Sequence, residues 1–267
     1  MQPSDAKPDR HLPDADSMPY RVLMGNAPGM RTGRRIMRAI PAAPRCKLCA
    51  APFRGPLAPL LRAVGKGPWP KNPKYCGWCF KGLVTHRGGA EIDCSLLFAD
   101  VRGSTALAET MRPGEFKDAM DRYFAVASQV LIDHDAIVDK FVGDEVVAIF
   151  IPAMTGELHA RRAVDAGIRL LAATMAPDAA PGPPIGIGVN TGTAYVGTVG
   201  SGDNVEFSAM GDVVNVAARL ASAAGPGELL VTAAAASAAD LVDASLERRE
   251  LALKGKTGAT EVVVLHA

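Results

Sequence analysis

"CSLLFADVRGST", residues 94–105, decides how the rest of the chain is read. Its first half is almost wholly apolar and reads as a strand buried on both faces. The run ends on Asp100 and breaks at once into Arg102, Gly103, Ser104 and Thr105. Strand interiors disfavour Asp and Gly. A carboxylate at the end of such a strand needs compensation, and the first candidate is a cation. Cys94, which starts the run, reads as a small core residue.

Downstream the pattern stays regular. "RPGEFKDAMDRYFAVASQVLIDHD" (112–135) has helical spacing, with Phe116, Met120, Phe124, Val130 and Leu131 on one side. "AIVDKFVGDEVVAIF" (136–150) reads as a hairpin turning at Gly143-Asp144, and "GELHARRAVDAGIRLLAATM" (156–175) as a second helix. "PIGIGVNTG" and "AYVGTVG" read as a strand pair around the "TG" at 191–192. "GDVVNVAARLASAA" (211–224) reads as a third helix with Asp212 as its N-cap. Short strands follow at "ELLVT" and "EVVVLHA". Strands that alternate with helices and also pair through hairpins predict an α/β (α+β) sandwich: a mixed sheet with flanking helices, not a parallel doubly wound one.

If the hairpin lies beside the first strand, Asp100 and Asp144 point at one spot. Two carboxylates that close repel unless a cation sits between them. Mg²⁺ suits one or two carboxylates completed by substrate phosphate oxygens. The backbone N–H groups of Gly103, Ser104 and Thr105, opening the next helix, then form a nest for phosphate. Taken separately, the two stretches also read as a helix cap and an ordinary turn.

The chain has 267 residues, 48% hydrophobic and 21% charged, an ordinary globular composition. It contains no apolar run of membrane-spanning length. Its acidic N-terminus does not read as a secretory signal, so a cytoplasmic, reducing compartment is the default expectation. The net charge of +1 hides an asymmetry. Residues 17–90 carry 14 Lys or Arg and no Asp or Glu, whereas the remainder is acidic.

Four motifs, "LLFADVRGSTALAE", "DKFVGDEVVAIF", "GVNTGTAYVGTVG" and "FSAMGDVVNVAARL", resemble in order and spacing the class III nucleotidyl cyclases, the adenylyl and guanylyl cyclase homology domain. The resemblance covers residues 92–267 and implies a ferredoxin-like, palm-type core. It implies cyclisation of a nucleoside triphosphate to a 3′,5′-cyclic monophosphate and pyrophosphate. By this resemblance Asp100 and Asp144, helped by the carbonyl of Val101, bind two Mg²⁺ or Mn²⁺ ions that activate the ribose 3′-hydroxyl and hold the triphosphate. Asn215 and Arg219, four residues apart and so on one helix face, orient the ribose and meet the charge developing at the α-phosphate. An Arg fork suits phosphoryl oxygens.

Lys140 and Ser208 fall at the positions that read the base, and Lys there goes with adenine. Ser208 departs from the family pattern, which often has Asp and in some bacterial members Thr. A hydroxyl both donates and accepts, so Ser208 alone discriminates less firmly. "ALKGKTG" matches a further motif, in which Lys254 contacts the distal phosphates. In the family the active site lies between two cyclase domains, and this chain carries both sets of residues. A head-to-tail homodimer acting on ATP follows. The competing readings are a cyclase for a pyrimidine or guanine nucleotide and a catalytically silent cyclase-like regulator. Lys140 speaks against guanine, and the retained aspartates speak against silence.

Cys46-x2-Cys49 and Cys76-x2-Cys79 are separated by 26 residues. Four thiolates suit a closed tetrahedral Zn²⁺ site, which is favoured over an iron–sulfur cluster or free, redox-switchable thiols. A module this small needs such a staple. The expected organisation is 1–44 largely disordered with a short basic helix at "GMRTGRRIMRAI", a four-cysteine module over 45–82, a linker over 83–91 and the catalytic domain over 92–267. The basic residues of 17–90 are expected to dock on the acidic body. Nucleic acid or an anionic membrane surface is the less favoured partner, because few aromatics accompany the charges.

Overall fold

The computed structural model describes residues 17–266 except 71, 86–87, 176–182, 202–203, 242, 244 and 257. The N-terminal residues 1–16, expected to be disordered, lie outside the described residues. The first part of the chain holds α1 (Met18–Leu23), α2 (Met30–Ala39), α3 (Ala58–Leu61), the short pair β1 (Pro68–Trp69) and β2 (Asn72–Cys76), and α4 (Gly77–Thr85). Then come β3 (Gly89–Val101), α5 (Ser104–Thr110), α6 (Pro113–Asp133), β4 (Ile137–Val142), β5 (Glu145–Phe150), α7 (Pro152–Thr155) and α8 (His159–Met175). The chain closes with β6 (Ile185–Ser201), β7 (Asn204–Met210), α9 (Asp212–Ala223), β8 (Glu228–Thr232), α10 (Ala233–Ala238), β9 (Glu247–Leu251) and β10 (Thr260–His266).

β3 is the strand read from Cys94 onwards, and it begins earlier, at Gly89. Glu91 and Asp93 stay exposed between buried Ala90, Ile92 and Cys94, so this first part alternates and only the second part is an apolar run. The two faces of β3 meet different partners. Leu97, Ala99 and Val101 join a core with α6, α8 and α10. Ile92, Cys94, Leu96 and Phe98 join a second core on the opposite face, with α9. Asp100 falls in the register of that second series.

The main sheet runs β4-β5-β3-β6-β8-β10-β9, with β7 attached to β6. β6 and β8 are parallel, and the other pairs are antiparallel. This is the mixed sheet with flanking helices that the pattern predicts. The strand pair expected around 191–192 is corrected. Ile185–Ser201 is one continuous strand, pairing with β3 along Gly89–Val101. Gly186, Gly188 and Gly192 of this strand face α9 instead of making a turn. A Cβ on Gly188 would lie 2.4 Å from the Ala217 carbonyl oxygen and 2.4 Å from the Ala221 nitrogen, so α9 rests directly on the bare backbone of β6. The N-cap of α9 is Gly211, with Asp212 as the first helical residue.

The cysteine module is not a bead on a string. Leu23 of α1 and Cys46, Leu48, Ala51, Phe53, Tyr75 and Cys76 share one apolar core with Ile92, Ile137, Val147 and Ile149 of the sheet and with Ile151 just beyond β5. Its lysines pair with the turn between α6 and β4. Lys47 bonds Asp135, and Lys74 Nζ lies 2.7 Å from Asp133. Buried Asn72 donates its Nδ2 to the Ala136 carbonyl at 3.3 Å. Among the described residues no helix is long and apolar enough to cross a membrane.

Candidate active site

The site assembles at one end of the sheet. β3 delivers Asp100, which stands opposite Gly186 in the ladder. The β4–β5 hairpin delivers Asp144, and Gly143 adopts φ 63°, the left-handed conformation that a tight two-residue turn requires. The Asp144 carboxylate is near enough to Asp100 for its charge to act on it. Burial raises the Asp100 carboxyl above its ordinary range; Arg102 opposes the rise and Asp144 adds to it. Burial, then Asp100 and Asp144, push Glu145 up to about 7. Carboxyls that resist ionising together gain from a divalent cation between them, so the donor set fits Mg²⁺ or Mn²⁺.

Arg102 is a site residue to which the sequence assigned no role. Its guanidinium pairs with the Asp100 carboxylate and donates to the carbonyls of Ser222, at 3.1 Å, and Ala224, at 3.4 Å. It thus ties the strand end to the last turn of α9. Tyr123, buried on α6, donates its hydroxyl to the Ala99 carbonyl at 3.1 Å and holds the same strand end from the other face. Gly103, at φ 73°, caps α5, and Ser104 and Thr105 are its first helical residues. They begin three residues after Asp100.

Lys140 and Ser208 are brought together although they lie on non-adjacent strands. β4 carries a bulge. Val138 pairs with Ala148 and Lys140 with Val147, leaving Asp139 as the extra residue. The bulge shifts Lys140 to the face of Ile137 and Val147, the one that also carries α9. The Ser208 hydroxyl donates to Asp139 Oδ2 at 2.6 Å, and Lys140 Nζ lies 3.3 Å from Glu206 Oε2 on β7. Asp139 was also missed in the sequence, where strict alternation would have pointed it away from Lys140.

A third group gathers around α9. Asn215 is exposed on that helix and Arg219 is half-buried. A Cβ on Gly255 would lie 3.3 Å from Arg219 Nη2, so Arg219 reaches the loop that carries exposed Lys254. Lys256 of that loop pairs with Asp212 at the start of α9. No hydrogen bond or ion pair among the described residues joins Asp100 or Asp144 to Lys140, Ser208, Asn215, Arg219 or Lys254.

In the N-terminal part, the sulfurs of Cys46, Cys49, Cys76 and Cys79 all lie within 4.8 Å of one another. Cys49 Sγ is 3.7 Å from Cys76 Sγ. A tetrahedron with Zn–S bonds of about 2.3 Å has S–S edges of about 3.8 Å. The Cys76 backbone N–H donates to Cys46 Sγ at 3.2 Å and the Cys79 N–H to Cys76 Sγ at 3.4 Å. Hydrogen bonds from Cys46, then Cys76 and Cys79, hold the Cys49 thiol far below its usual range, while Cys79 is pushed far above by Cys46 first. Four crowded sulfurs of this kind suit a cation. Cys94 lies apart in the sheet core, fully buried, and burial pushes its thiol up to about 12.

A strand-end carboxylate pair and, on a separate helix, an Asn and an Arg, carried by a mixed sheet with helices on both faces, fit a nucleotidyl cyclase catalytic domain. The chain belongs to the adenylate and guanylate cyclase catalytic domain family, whose profile matches residues 90–267. It is 33% identical over 150 residues to adenylate cyclase 1 of Rhizobium meliloti, covering 52% of this chain and 23% of that protein. It is 31% identical over 131 residues to an adenylate cyclase of Anabaena cylindrica, covering 47% and 26%. The chain therefore spans about a quarter of the length of these relatives. The fold is similar to the guanylyl cyclase Cya2, with a TM-score of 0.61 and 25% identity over 66% of this chain and 93% of that one. It is also similar to the adenylyl cyclase CyaB of P. aeruginosa, with a TM-score of 0.59 and 27% identity over 66% and 95%. The four cysteines lie outside the region that the family profile matches.

Proposed function

We propose that the chain is an adenylyl cyclase, converting ATP to 3′,5′-cyclic AMP and pyrophosphate at sites shared between two copies. The observation that carries this reading is the meeting of Asp100 with Asp144 at one end of the sheet, while Asn215 and Arg219 stand on another element without touching them. A site split in this way closes when a second copy presents its α9 to the first copy's aspartates. In the reaction the ribose 3′-oxygen bonds to the α-phosphorus, the bond to the bridging oxygen breaks, and pyrophosphate leaves with the electron pair. The 3′-hydroxyl proton passes to solvent.

Asp100, Asp144 and the Val101 carbonyl would hold two divalent cations, which supply acidity to the 3′-hydroxyl and charge to the leaving pyrophosphate. Arg219 meets the charge that builds on the α-phosphate, Asn215 orients the ribose, and Gly103, Ser104 and Thr105 cradle phosphate oxygens. Lys254 faces the distal phosphates. Lys140 offers hydrogens and no acceptor, which matches adenine N1 and not the N1–H of guanine. Cys46, Cys49, Cys76 and Cys79 would hold a structural Zn²⁺.

The test is direct. The purified chain is incubated with each of the four ribonucleoside triphosphates and Mg²⁺ or Mn²⁺, and products are identified by mass. Cyclic AMP as the main product is expected. Cyclic GMP or a cyclic pyrimidine nucleotide as the main product would reassign the substrate, and no cyclic product from any of the four would reject the activity.

A further inference from the structure

Ser208 is ambiguous as a base reader only if its hydrogen is free, and the structure shows where that hydrogen goes. The side chain is buried, and its hydroxyl donates to Asp139 Oδ2 at 2.6 Å. The Asp139 side chain is 4% exposed, and Lys140 Nζ stands 3.9 Å from the same oxygen. Three strands, β5, β3 and β6, lie between β4 and β7 in the sheet order, so β7 reaches Asp139 only because the β6–β7 arm folds over the sheet face. The bulge at Asp139 places this carboxylate beside Lys140 on that covered face. The Ser208–Asp139 contact joins two short, buried side chains, whereas the Lys140 side chain is 38% exposed.

We infer that Asp139 is a positioning residue for base selection: by accepting the Ser208 hydrogen it fixes Ser208 as an acceptor toward the bound base. This rests on the reading that Lys140 and Ser208 face the base edge. A serine oxygen has one hydrogen and two lone pairs. With the hydrogen committed to a buried carboxylate, only lone pairs remain for the ligand. Adenine presents an acceptor at N1 and a donor at its 6-amino group. Lys140 and the polarised Ser208 present the complementary donor and acceptor. A 6-oxo purine carries N1–H and an oxygen acceptor, so both its contacts would set like against like. Burial raises the Asp139 carboxyl above its ordinary range; the Ser208 hydroxyl and the Lys140 ammonium oppose that rise, and Glu206 adds to it. The selectivity that other sequences build with a carboxylate at the reading position is here split between a hydroxyl and the carboxylate behind it.

The experiment compares ATP with inosine triphosphate, which differs from ATP only at that edge. The ratio of kcat/KM for the two is measured on the full chain. The ratio of dissociation constants is measured with the 3′-deoxy analogues, which bind but lack the attacking hydroxyl. Asp139→Ala removes the acceptor and frees the Ser208 hydrogen for the base, while Asp139→Asn keeps the shape and frees it only where the amide turns its N–H toward Ser208. The ATP preference should fall about tenfold, the size of one mismatched buried hydrogen bond, with both nucleotides bound and the melting temperature nearly unchanged. In a Ser208→Ala background the same change should have no further effect on the ratio. Asp139→Asn, with its amide so turned, should lower the ratio as well and serves if the Ala variant does not fold.

Lys140→Glu is the control for the underlying reading. If Lys140→Glu shifts the ratio and the Asp139 variants lower both nucleotides equally, Asp139 only supports the fold and the inference is overturned. If Lys140→Glu leaves the ratio unchanged, the base-edge reading itself fails and the inference goes with it.

Discussion

Asp100 and Asp144 are costly side chains in the free protein. Burial raises the energy of ionising Asp100, and the neighbouring Asp144 carboxylate adds to it. Removing one charge should therefore spare the fold while ending the chemistry. Asp100→Asn and Asp144→Asn are expected to lower cyclase activity by more than about a hundredfold, with a melting temperature equal to or above that of the parent protein in metal-free buffer. Product formation read beside a thermal melt checks both halves. A large loss of melting temperature would mean that the pair is structural. Asp100 was legible in the sequence because a charge ended an apolar run. Asp139 was not, because its role depends on a bulge that brings Lys140 to its side, and nothing in "VDKFV" announces an extra residue in the ladder.

At the scale of elements, the β6–α9 contact and the cysteine cluster make opposite demands on sequence reading. Glycine near a polar residue usually signals a turn, and the strand pair expected at 191–192 followed from that rule. The bare backbone at Gly188 instead lets α9 lie against β6, which in turn sets where Asn215 and Arg219 stand. Gly188→Val would drive two methyl groups into the α9 backbone. It should cost at least the roughly 1–3 kcal/mol typical of overpacking, and a thermal melt should register a loss of several degrees or no folded protein at all. Conversely, the spacing of the four cysteines announced a cluster that could hold a metal ion, although the 26-residue excursion between them exceeds the usual length. Elemental analysis should find close to one zinc per chain. Cys46→Ser should lose it and Cys94→Ser should keep it, since Cys94 packs in the sheet core.

At the scale of the whole molecule, the mixed sheet was legible because periodicity survives in single sequences. The docking of the basic N-terminal part on the acidic body was expected from charge, and Lys47 and Lys74 pair with Asp135 and Asp133; the apolar core the two parts share was not legible, since it is a property of surfaces that meet only after folding. The proposed assembly has its own test. Asp100→Ala and Arg219→Ala damage different halves of a split site, so mixing the two inactive proteins should restore up to about a quarter of parent activity if subunits pair at random. Size-exclusion chromatography confirms that dimers exchange. No recovery among exchanging dimers would reject the shared site. Removing residues 1–89 should not yield a well-behaved cyclase domain. Ile92, Ile149 and Ile151 are buried in the core that the module shares, and exposing large apolar side chains costs about 1.5–3 kcal/mol each. Light scattering of the shortened protein should show aggregation, or a melt should show a marked loss of stability.

That shared core also limits how such a chain can change through recombination. A regulatory segment on a tether can be exchanged for another without touching the enzyme it serves. Here Phe53 and Tyr75 on one side and Ile137, Val147 and Ile149 on the other form a single interior. A relative without the four cysteines therefore has to dress the same sheet face with another covering, or repaint it with polar side chains. The two parts are obliged to vary together, as the halves of a lock and its plate do when either is recut.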